Sequence, residues 1–121
     1  MKTKIVPYNY QHMLAINPKD HGIAMLNQMA GTAFTLMTDD KSEAVLACGG
    51  VRSAGIGQMW ASFDPDALKD FPKLILRTSK DVINECIIRE NIYKLYADAS
   101  VNKPAWFKHL GFRLCDNVYV R

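Results

Sequence analysis

Apolar residues recur along the chain with two different spacings, which predict two kinds of element. Alternating or β-branched runs predict strands at Lys4–Pro7, Ala33–Thr38, Glu43–Arg52, Ile56–Phe63, Ile92–Ala97, Phe112–Leu114 and Val118–Val120. Steps of three and four predict helices at Tyr10–Asn17, from Asp20 to Gly31, over Pro72–Glu90 and over Ala105–Leu110. Short polar turns join the three strands between Ala33 and Phe63, which predicts an antiparallel meander.

Single residues mark where these elements begin, bend and end. Asp66 is a candidate N-cap for a first helical turn, and Pro72 is expected to open the main helix, where a proline is tolerated. Asn102 is the expected cap of the last short helix, and Gly111 is expected to terminate it. The pair Gly49-Gly50 predicts a bulge in its strand.

The order of elements predicts the fold class. A strand and two helices precede the meander, and a long helix, a strand, a short helix and a hairpin follow it. This order is typical of an α+β protein, and the strand after the long helix can pair in parallel with the strand before it. We expect one domain over residues 1–121, because 121 residues suit a single core and 49% of them are apolar.

Charge and cysteine content narrow the class of function. The net charge of +3 permits an anionic ligand without requiring nucleic acid, so no nucleic-acid partner is expected. Cys48, Cys86 and Cys115 form no ligand-spaced cluster with histidines, which predicts reduced thiols, no metal and a cytoplasmic location. The N-terminus lacks the features of a secretory signal, and no window is apolar enough for a transmembrane helix, so no membrane partner is expected.

The C-terminal part carries the most specific signal. Asn102 and Pro104 precede the short helix, and His109-Leu110-Gly111-Phe112 followed by Arg113 ends it. These residues resemble the GNAT acyltransferase signature of a short helix, a Leu-Gly-Phe turn and the last strands, and the order of elements agrees over nearly the whole chain. The resemblance implies a mixed central sheet with an antiparallel meander, a long crossover helix and a short C-terminal helix, with Phe112 in the core.

Two blocks, Trp60–Arg77 and Tyr93–Phe112, carry a narrower resemblance. They are similar to a divergent GNAT-like group of tailed bacteriophages, which includes an internal virion protein of short-tailed phages. This similarity implies a phage protein that acts in the host cytoplasm or belongs to the virion.

The GNAT resemblance also implies a cofactor and a substrate class. Acetyl-CoA would enter between the strand before the long helix and the strand after it, and an amine of a protein or small molecule would accept the acetyl group. The pantetheine arm would pair with the exposed edge of Gly57–Phe63, as an added strand does. The cofactor contacts implied in this way are Met59, Trp60, Ala61, Phe71, Lys73, Arg77, Asn102 and Phe107.

The chain departs from the family pattern where the pyrophosphate would lie. No glycine occurs between Phe63 and Leu74, and three aspartates stand there instead: Asp64, Asp66 and Asp70. Lys73 and Arg77 share one helical face and could compensate, since cations near a helix N-terminus would hold phosphate. The alternative is that both belong to the solvated face of an amphipathic helix.

The catalytic groups also depart from the pattern. Phe107 stands where many GNAT enzymes carry a tyrosine that protonates the departing thiolate. Tyr96 or Ser100 could donate instead; alternatively, Tyr96 is a packed strand aromatic and Ser100 a turn residue. Asp64 is the candidate base for the amine, acting through water.

Three functions therefore remain open at the level of sequence. The first is a phage-type N-acetyltransferase that uses acetyl-CoA. The second is a GNAT-fold protein that has lost catalysis and binds a virion or host protein, for which methionines and aromatic residues would form the surface. The third is a protein that binds another anionic small molecule in the same cleft. Exposed strand edges would also allow a homo-oligomer.

Overall fold

The computed structural model describes residues 2–52, 56–98, 104–115 and 118–121. Its strands are β1 (Thr3–Pro7), β2 (Gly31–Thr38), β3 (Val45–Arg52), β4 (Ile56–Phe63), β5 (Lys94–Asp98), β6 (Arg113–Cys115) and β7 (Val118–Val120). Its helices are α1 (Tyr10–Ile16), α2 (His21–Met29), α3 (Pro65–Asp70), α4 (Pro72–Arg89) and α5 (Pro104–His109).

The strands form one mixed sheet in the order β1-β2-β3-β4-β5-β7-β6. The predicted antiparallel meander is confirmed, since β2 pairs with β3 and β3 with β4 in antiparallel registers. The predicted crossover is also confirmed, because β4 and β5 are parallel and α4 connects them. The fold is thus α+β. Among the described strands, β4 and β5 form the one parallel pair, which lies near the centre of the sheet.

The two faces of the sheet carry different helices. On one face, α4 buries Ile83 and Cys86 in a cluster with Val51 and Leu95, and it buries Ile75 in a second cluster with Leu36 and Ala47. On the other face, Met13 of α1 and Ala24 of α2 pack on Cys48 and Trp60. Because side chains alternate along a strand, neighbouring residues of β3, β4 and β5 belong to different faces.

Helices α4 and α5 end in the same way. Asn91 and Gly111 adopt positive φ angles of 52° and 91°, and the next residues, Ile92 and Phe112, donate back to carbonyls five residues earlier. This is the hydrogen-bond pattern of a Schellman motif, in which an apolar residue after the turn packs on the helix. The predicted termination by Gly111 and the buried position of Phe112 are confirmed.

The α4 motif corrects the predicted start of β5. The sequence predicted a strand from Ile92, but β5 begins at Lys94. Ile92 completes the α4 turn, since its amide donates to the Ile87 carbonyl at 3.0 Å, and Tyr93 is 76% exposed. An alternating apolar pattern cannot distinguish this turn from the first residues of a strand.

Two further expectations about local structure were wrong. Asp64, and not Asp66, is the N-cap of α3, and its side chain accepts from the Ala67 amide. The sheet irregularity lies between Leu36 and Met37, whereas Gly49 and Gly50 keep a regular register. A Cβ at Gly50 would collide with the backbone of β2, so close approach of the strands explains this glycine.

Helix α2 is formed as predicted, but it lacks a side-chain cap and exposes large apolar residues. Asp20 occupies the N-cap position but makes no side-chain cap bond; its carboxylate instead accepts from Asn17 Nδ2 at 2.7 Å. Leu26 and Met29 are 51% and 79% exposed, and the helix buries Ala24 and Asn27. The polar Asn27 is therefore part of the interior, where its side chain accepts a hydrogen bond from Arg52.

No helix in the described ranges is long and apolar enough to cross a membrane. The same part of the chain contains no group of three or more histidine, cysteine or acidic side chains that could hold a metal ion.

Candidate functional site

The central strands separate from each other halfway along β4. Pairing between β4 and β5 ends at Gln58 and Tyr96, whereas β4 stays paired with β3 as far as Phe63. Among the described residues, positions 59–63 of β4 therefore have a strand neighbour on one side only. This V-shaped opening is at the position that the GNAT resemblance implied.

The free edge of β4 presents backbone groups to the opening. The Asp64 amide donates to the Leu46 carbonyl of the neighbouring chain segment at 2.9 Å, and the register from there to Gln58 is regular. Because successive amides of a strand point to opposite edges, the amides and carbonyls of Ala61 and Phe63 face the opening. An extended, amide-bearing ligand could pair with them as an added strand does.

A cavity of about 340 Å³ lies at this opening. Its wall combines β2, β3 and β4 with the inner side of α4 and with α5. The lining is mainly apolar and comprises Phe34, Leu36, Ala47, Cys48, Gly49, Gly50, Arg52, Gln58, Met59, Trp60, Ala61, Phe63, Ile75, Thr78, Ser79, Val82, Ile83, Ala97, Trp106, Phe107 and Leu110.

Four of the residues predicted to contact a cofactor line this cavity: Met59, Trp60, Ala61 and Phe107. Phe107 is 5% exposed and is fixed by two rings, since it stacks on Tyr119 at 4.0 Å and meets Phe112 edge-on at 5.6 Å. Its position is set by packing, and it carries no proton donor. This part of the cavity wall is therefore formed by an apolar side chain.

Three other predicted cofactor residues, Phe71, Lys73 and Arg77, lie at the start of α4. All three are exposed, and none belongs to the cavity lining. Their role in phosphate binding stays a prediction.

Helix α3 fills the segment in which the sequence lacks glycines. Phe71 is both the C-cap of α3 and the N-cap of α4, and its own amide donates to Ala67. Pro72 has no amide hydrogen and Ile75 donates to Phe71, so Lys73 and Leu74 retain the first-turn amides without a helical partner. The start of α4 thus offers two amides to an anion, beside the side chains of Lys73 and Arg77.

The predicted catalytic residues occupy separate places. Asp64 follows β4, and its Oδ2 accepts from the Ala67 amide at 3.1 Å. Tyr96 stands at the last rung that joins β5 to β4, and its side chain belongs to the face opposite α4, because Leu95 and Ala97 pack with Ile83. Ser100 and Asn102 lie outside the described residues.

A group of polar residues on the face opposite α4 was missed by the sequence analysis. Arg52 Nε donates to Oδ1 of Asn27 at 2.6 Å, and Arg52 Nη1 donates to Gln58 Oε1 at 3.5 Å. Arg52 and Gln58 are strand partners, and the same row continues to Tyr96. An arginine at the end of an apolar strand was the available signal, but its partner Asn27 is distant in sequence.

The titratable side chains around this row favour their neutral forms. Burial raises the pKa of Tyr8 to about 12 and the pKa of Cys48 to about 12. Burial lowers the pKa of His12, whose Nδ1 accepts from the Asn9 amide at 3.1 Å and lies 2.7 Å from Thr35 Oγ1. At neutral pH these three groups therefore leave the positive charge of Arg52 uncompensated.

Several solved structures with the same architecture are acetyltransferases. A GNAT-family acetyltransferase from Bacillus anthracis matches 100% of this chain and 95% of its own, with a TM-score of 0.67 and 9% identity. The ribosomal-protein-S5-alanine acetyltransferase of Vibrio fischeri matches 100% and 93%, with a TM-score of 0.71 and 9% identity. A GNAT-family acetyltransferase from Elizabethkingia anophelis, solved with acetyl-CoA bound, matches 95% and 78%, with a TM-score of 0.67 and 15% identity.

The fold is therefore the GNAT acetyltransferase fold, as the resemblance implied. Sequence comparison adds nothing to this, because no protein-family model and no curated protein matches the chain.

Proposed function

We propose that the chain is an N-acetyltransferase that moves an acetyl group from acetyl-CoA to an amine. The observation that carries this proposal is the free edge of β4, with the Ala61 and Phe63 backbone groups at a mainly apolar cavity of about 340 Å³. The pantetheine amides would pair with this edge, and Met59, Trp60 and Phe107 would enclose the arm. The phosphates would reach the start of α4, near Phe71, Lys73 and Arg77.

The reaction itself is a simple exchange of bonds. The neutral amine nitrogen attacks the thioester carbonyl, the new C–N bond forms and the C–S bond breaks. The amine loses one proton, and the CoA sulfur gains one. Asp64 would take the proton through water, and Tyr96 or Ser100 would supply one to the sulfur; Asn102 would add a cofactor contact. Orientation supplies much of the rate in such a transfer.

Titration calorimetry of the purified protein with acetyl-CoA and with CoA tests the proposal. We expect micromolar binding of both. Ala61→Pro removes an amide that faces the opening and should weaken binding about tenfold, which corresponds to one lost hydrogen bond and a local clash. Ile5→Pro is the matched control: Asp39 and Tyr8 fix the register of β1, so the Ile5 amide points to the outer edge of the sheet.

The alternative function is a GNAT-fold protein without catalysis, of the phage type, that binds a virion or host protein. Two observations favour it: helix α3 occupies the phosphate segment, and α2 exposes Leu26 and Met29. Such a protein would act in the host cytoplasm or the virion, as a monomer or an oligomer. No detectable binding of acetyl-CoA or CoA at millimolar ligand would favour this alternative over the enzyme.

A further inference from the structure

Arg52 is held in place by residues of two different elements. Its Nε donates to Oδ1 of Asn27 in α2 at 2.6 Å, and Asn27 is only 1% exposed. Its Nη1 lies 3.5 Å from Oε1 of Gln58 on the next strand. A buried amide on one side and a strand partner on the other therefore fix the plane of the guanidinium.

The fixed guanidinium has no acidic partner among the described residues. Lys4 and Arg89 lie 2.8 Å from Glu43 and Glu85, respectively, whereas no carboxylate in the described ranges is within salt-bridge distance of Arg52. A guanidinium has five N–H groups, and two of them face Asn27 and Gln58, which leaves three (5 − 2). A half-buried arginine with spare donors and no counterion is suited to an anion from outside the chain.

Trp60 adds a second unused donor on the same face. Its ring is 8% exposed and packs edge-on against Tyr8 at 5.0 Å, but its Nε1 is buried and has no hydrogen-bond partner among the described residues. Trp60 is two residues from Gln58 along β4, so both side chains belong to the face opposite α4. An indole N–H can only donate a hydrogen bond, and the described residues supply no acceptor for that of Trp60.

The residues that carry these donors lie at the same cavity as the free strand edge. Arg52, Gln58 and Trp60 line it together with Ala61. An acetyl donor paired with the edge of β4 would have α4 on one side, so an amine would approach from the other side, where these three residues lie.

We propose that Arg52, Gln58 and Trp60 bind a carboxylate of the acetyl acceptor. The acceptor is then a free amino acid or another small amine that carries a carboxylate, and not a polyamine or a lysine inside a protein. Guanidinium and indole N–H groups complement the two oxygens of a carboxylate, and Asn27 acts as a positioning residue for Arg52. This inference rests on the proposed acetyl transfer and names its substrate class.

The first experiment compares acceptors that differ in the carboxylate alone. Release of the CoA thiol is measured with L-amino acids and with their decarboxylated counterparts, such as lysine with cadaverine and phenylalanine with phenethylamine. A lysine peptide blocked at both ends represents the protein acceptor. We expect kcat/KM for the best amino acid to exceed that of its decarboxylated counterpart at least about tenfold, since a charge-assisted contact is lost.

The second experiment tests the residues. Arg52→Gln should reduce this preference by roughly tenfold to a hundredfold, mostly through KM, and Trp60→Phe should reduce it less, because only one neutral donor is lost. Arg52→Lys keeps the charge without the planar fork and should give an intermediate loss. Arg113→Gln, which removes an exposed arginine on β6, is the matched control and should change nothing.

The outcomes separate this inference from the proposed function. If the protein binds acetyl-CoA but uses amines with and without a carboxylate equally well, the inference is wrong and acetyl transfer stands. If Arg52→Gln and Arg52→Lys reduce transfer to both kinds of acceptor in proportion, Arg52 has a structural role only, and the inference is again overturned. If the wild type binds no acetyl-CoA, both proposals fall.

Discussion

The two faces of the central sheet are stabilised by different interactions. On the α4 face, apolar side chains such as Val51, Leu95 and Phe112 form the main cluster. On the α1 and α2 face, hydrogen bonds join buried or half-buried polar groups: Tyr8 to the Ala24 carbonyl at 2.9 Å, and Asn27 to Arg52 at 2.6 Å. The α4 face thus holds the fold mainly by apolar packing, whereas the other face combines a smaller apolar cluster with hydrogen bonds that fix the orientation of polar side chains.

This difference matches the two tasks of the proposed reaction. An apolar wall suits the long arm of a cofactor that is held by backbone hydrogen bonds. A polar face with an uncompensated cation suits a small acceptor that must be chosen and oriented. Variants of the packed face should therefore lose stability, and variants of the polar face should lose selectivity.

The largest expected effect concerns the packed face. Phe112 is 5% exposed and meets Phe107 edge-on, so Phe112→Ala should lower the free energy of unfolding by about 3–5 kcal/mol. Leu114→Ala, at a residue that is 58% exposed, is the control and should change stability by less than about 0.5 kcal/mol. Chemical denaturation measures both. Equal stabilities would mean that the Leu-Gly-Phe turn does not form the core.

Asp64 allows the cap of α3 to be separated from catalysis. Asparagine caps a helix as well as aspartate does, so Asp64→Asn should keep the stability, whereas Asp64→Ala should lose about 1 kcal/mol. If Asp64 is also the base, kcat should fall roughly a hundredfold in both variants. Unchanged kcat in Asp64→Asn would leave Asp64 with its structural role alone.

Variants at the start of α4 test whether this end of the helix binds the phosphates of acetyl-CoA. Lys73→Glu together with Arg77→Glu should weaken acetyl-CoA binding by roughly thirtyfold, because two cations near the helix N-terminus are reversed. Acetyl-pantetheine, which has no phosphates, should bind both proteins equally. Lys41→Glu with Arg113→Glu makes the same change in net charge at exposed residues outside the cavity lining. The phosphates would bind elsewhere if the first pair had no larger effect than the second.

The smallest expected effect is a pH dependence of the polar face. Burial lowers the pKa of His12 below its usual 6.5, so the folded state resists protonation. The contribution of His12 to stability is complete above about pH 6.5 and is lost as the pH falls through the lower pKa of the folded state. Urea unfolding at pH 7.5 and pH 5 measures this loss.

His12→Gln is the matched variant, because glutamine at this helix position accepts the same cap bond and does not titrate. It should reduce the loss of stability between the two pH values. His109→Gln, at an exposed histidine, should leave the loss unchanged. An equal loss in all three proteins would exclude His12 as its source.

Much of the fold could be predicted because local chemistry specifies it. Pro72 opens α4 as expected, and Gly111 ends α5 with the one positive φ that its turn requires. The errors arose where one sequence pattern is compatible with two different local structures. Asp64 and Asp66 are both good caps, and only the position of Pro65 inside the first turn assigns the role to Asp64.

The candidate site was predicted only in part, for a different reason. Met59, Trp60 and Ala61 belong to one strand, so a correct strand brings them to the cavity together. Arg52 and Asn27 are 25 residues apart and meet only because α2 packs on β3. No rule based on the spacing of residues along the sequence predicts that contact.

The sequence by itself determined most of the elements, their order and the turn at Gly111, since these depend on neighbouring residues. Tertiary structure alone decided that β4 separates from β5 after Gln58 and that Trp60 buries an N–H without an acceptor in the described part of the chain. It also left Arg52 without a counterion among the described residues. Each of these features depends on which strands and helices pack against one another, because that packing sets the burial of a side chain and the charges around it.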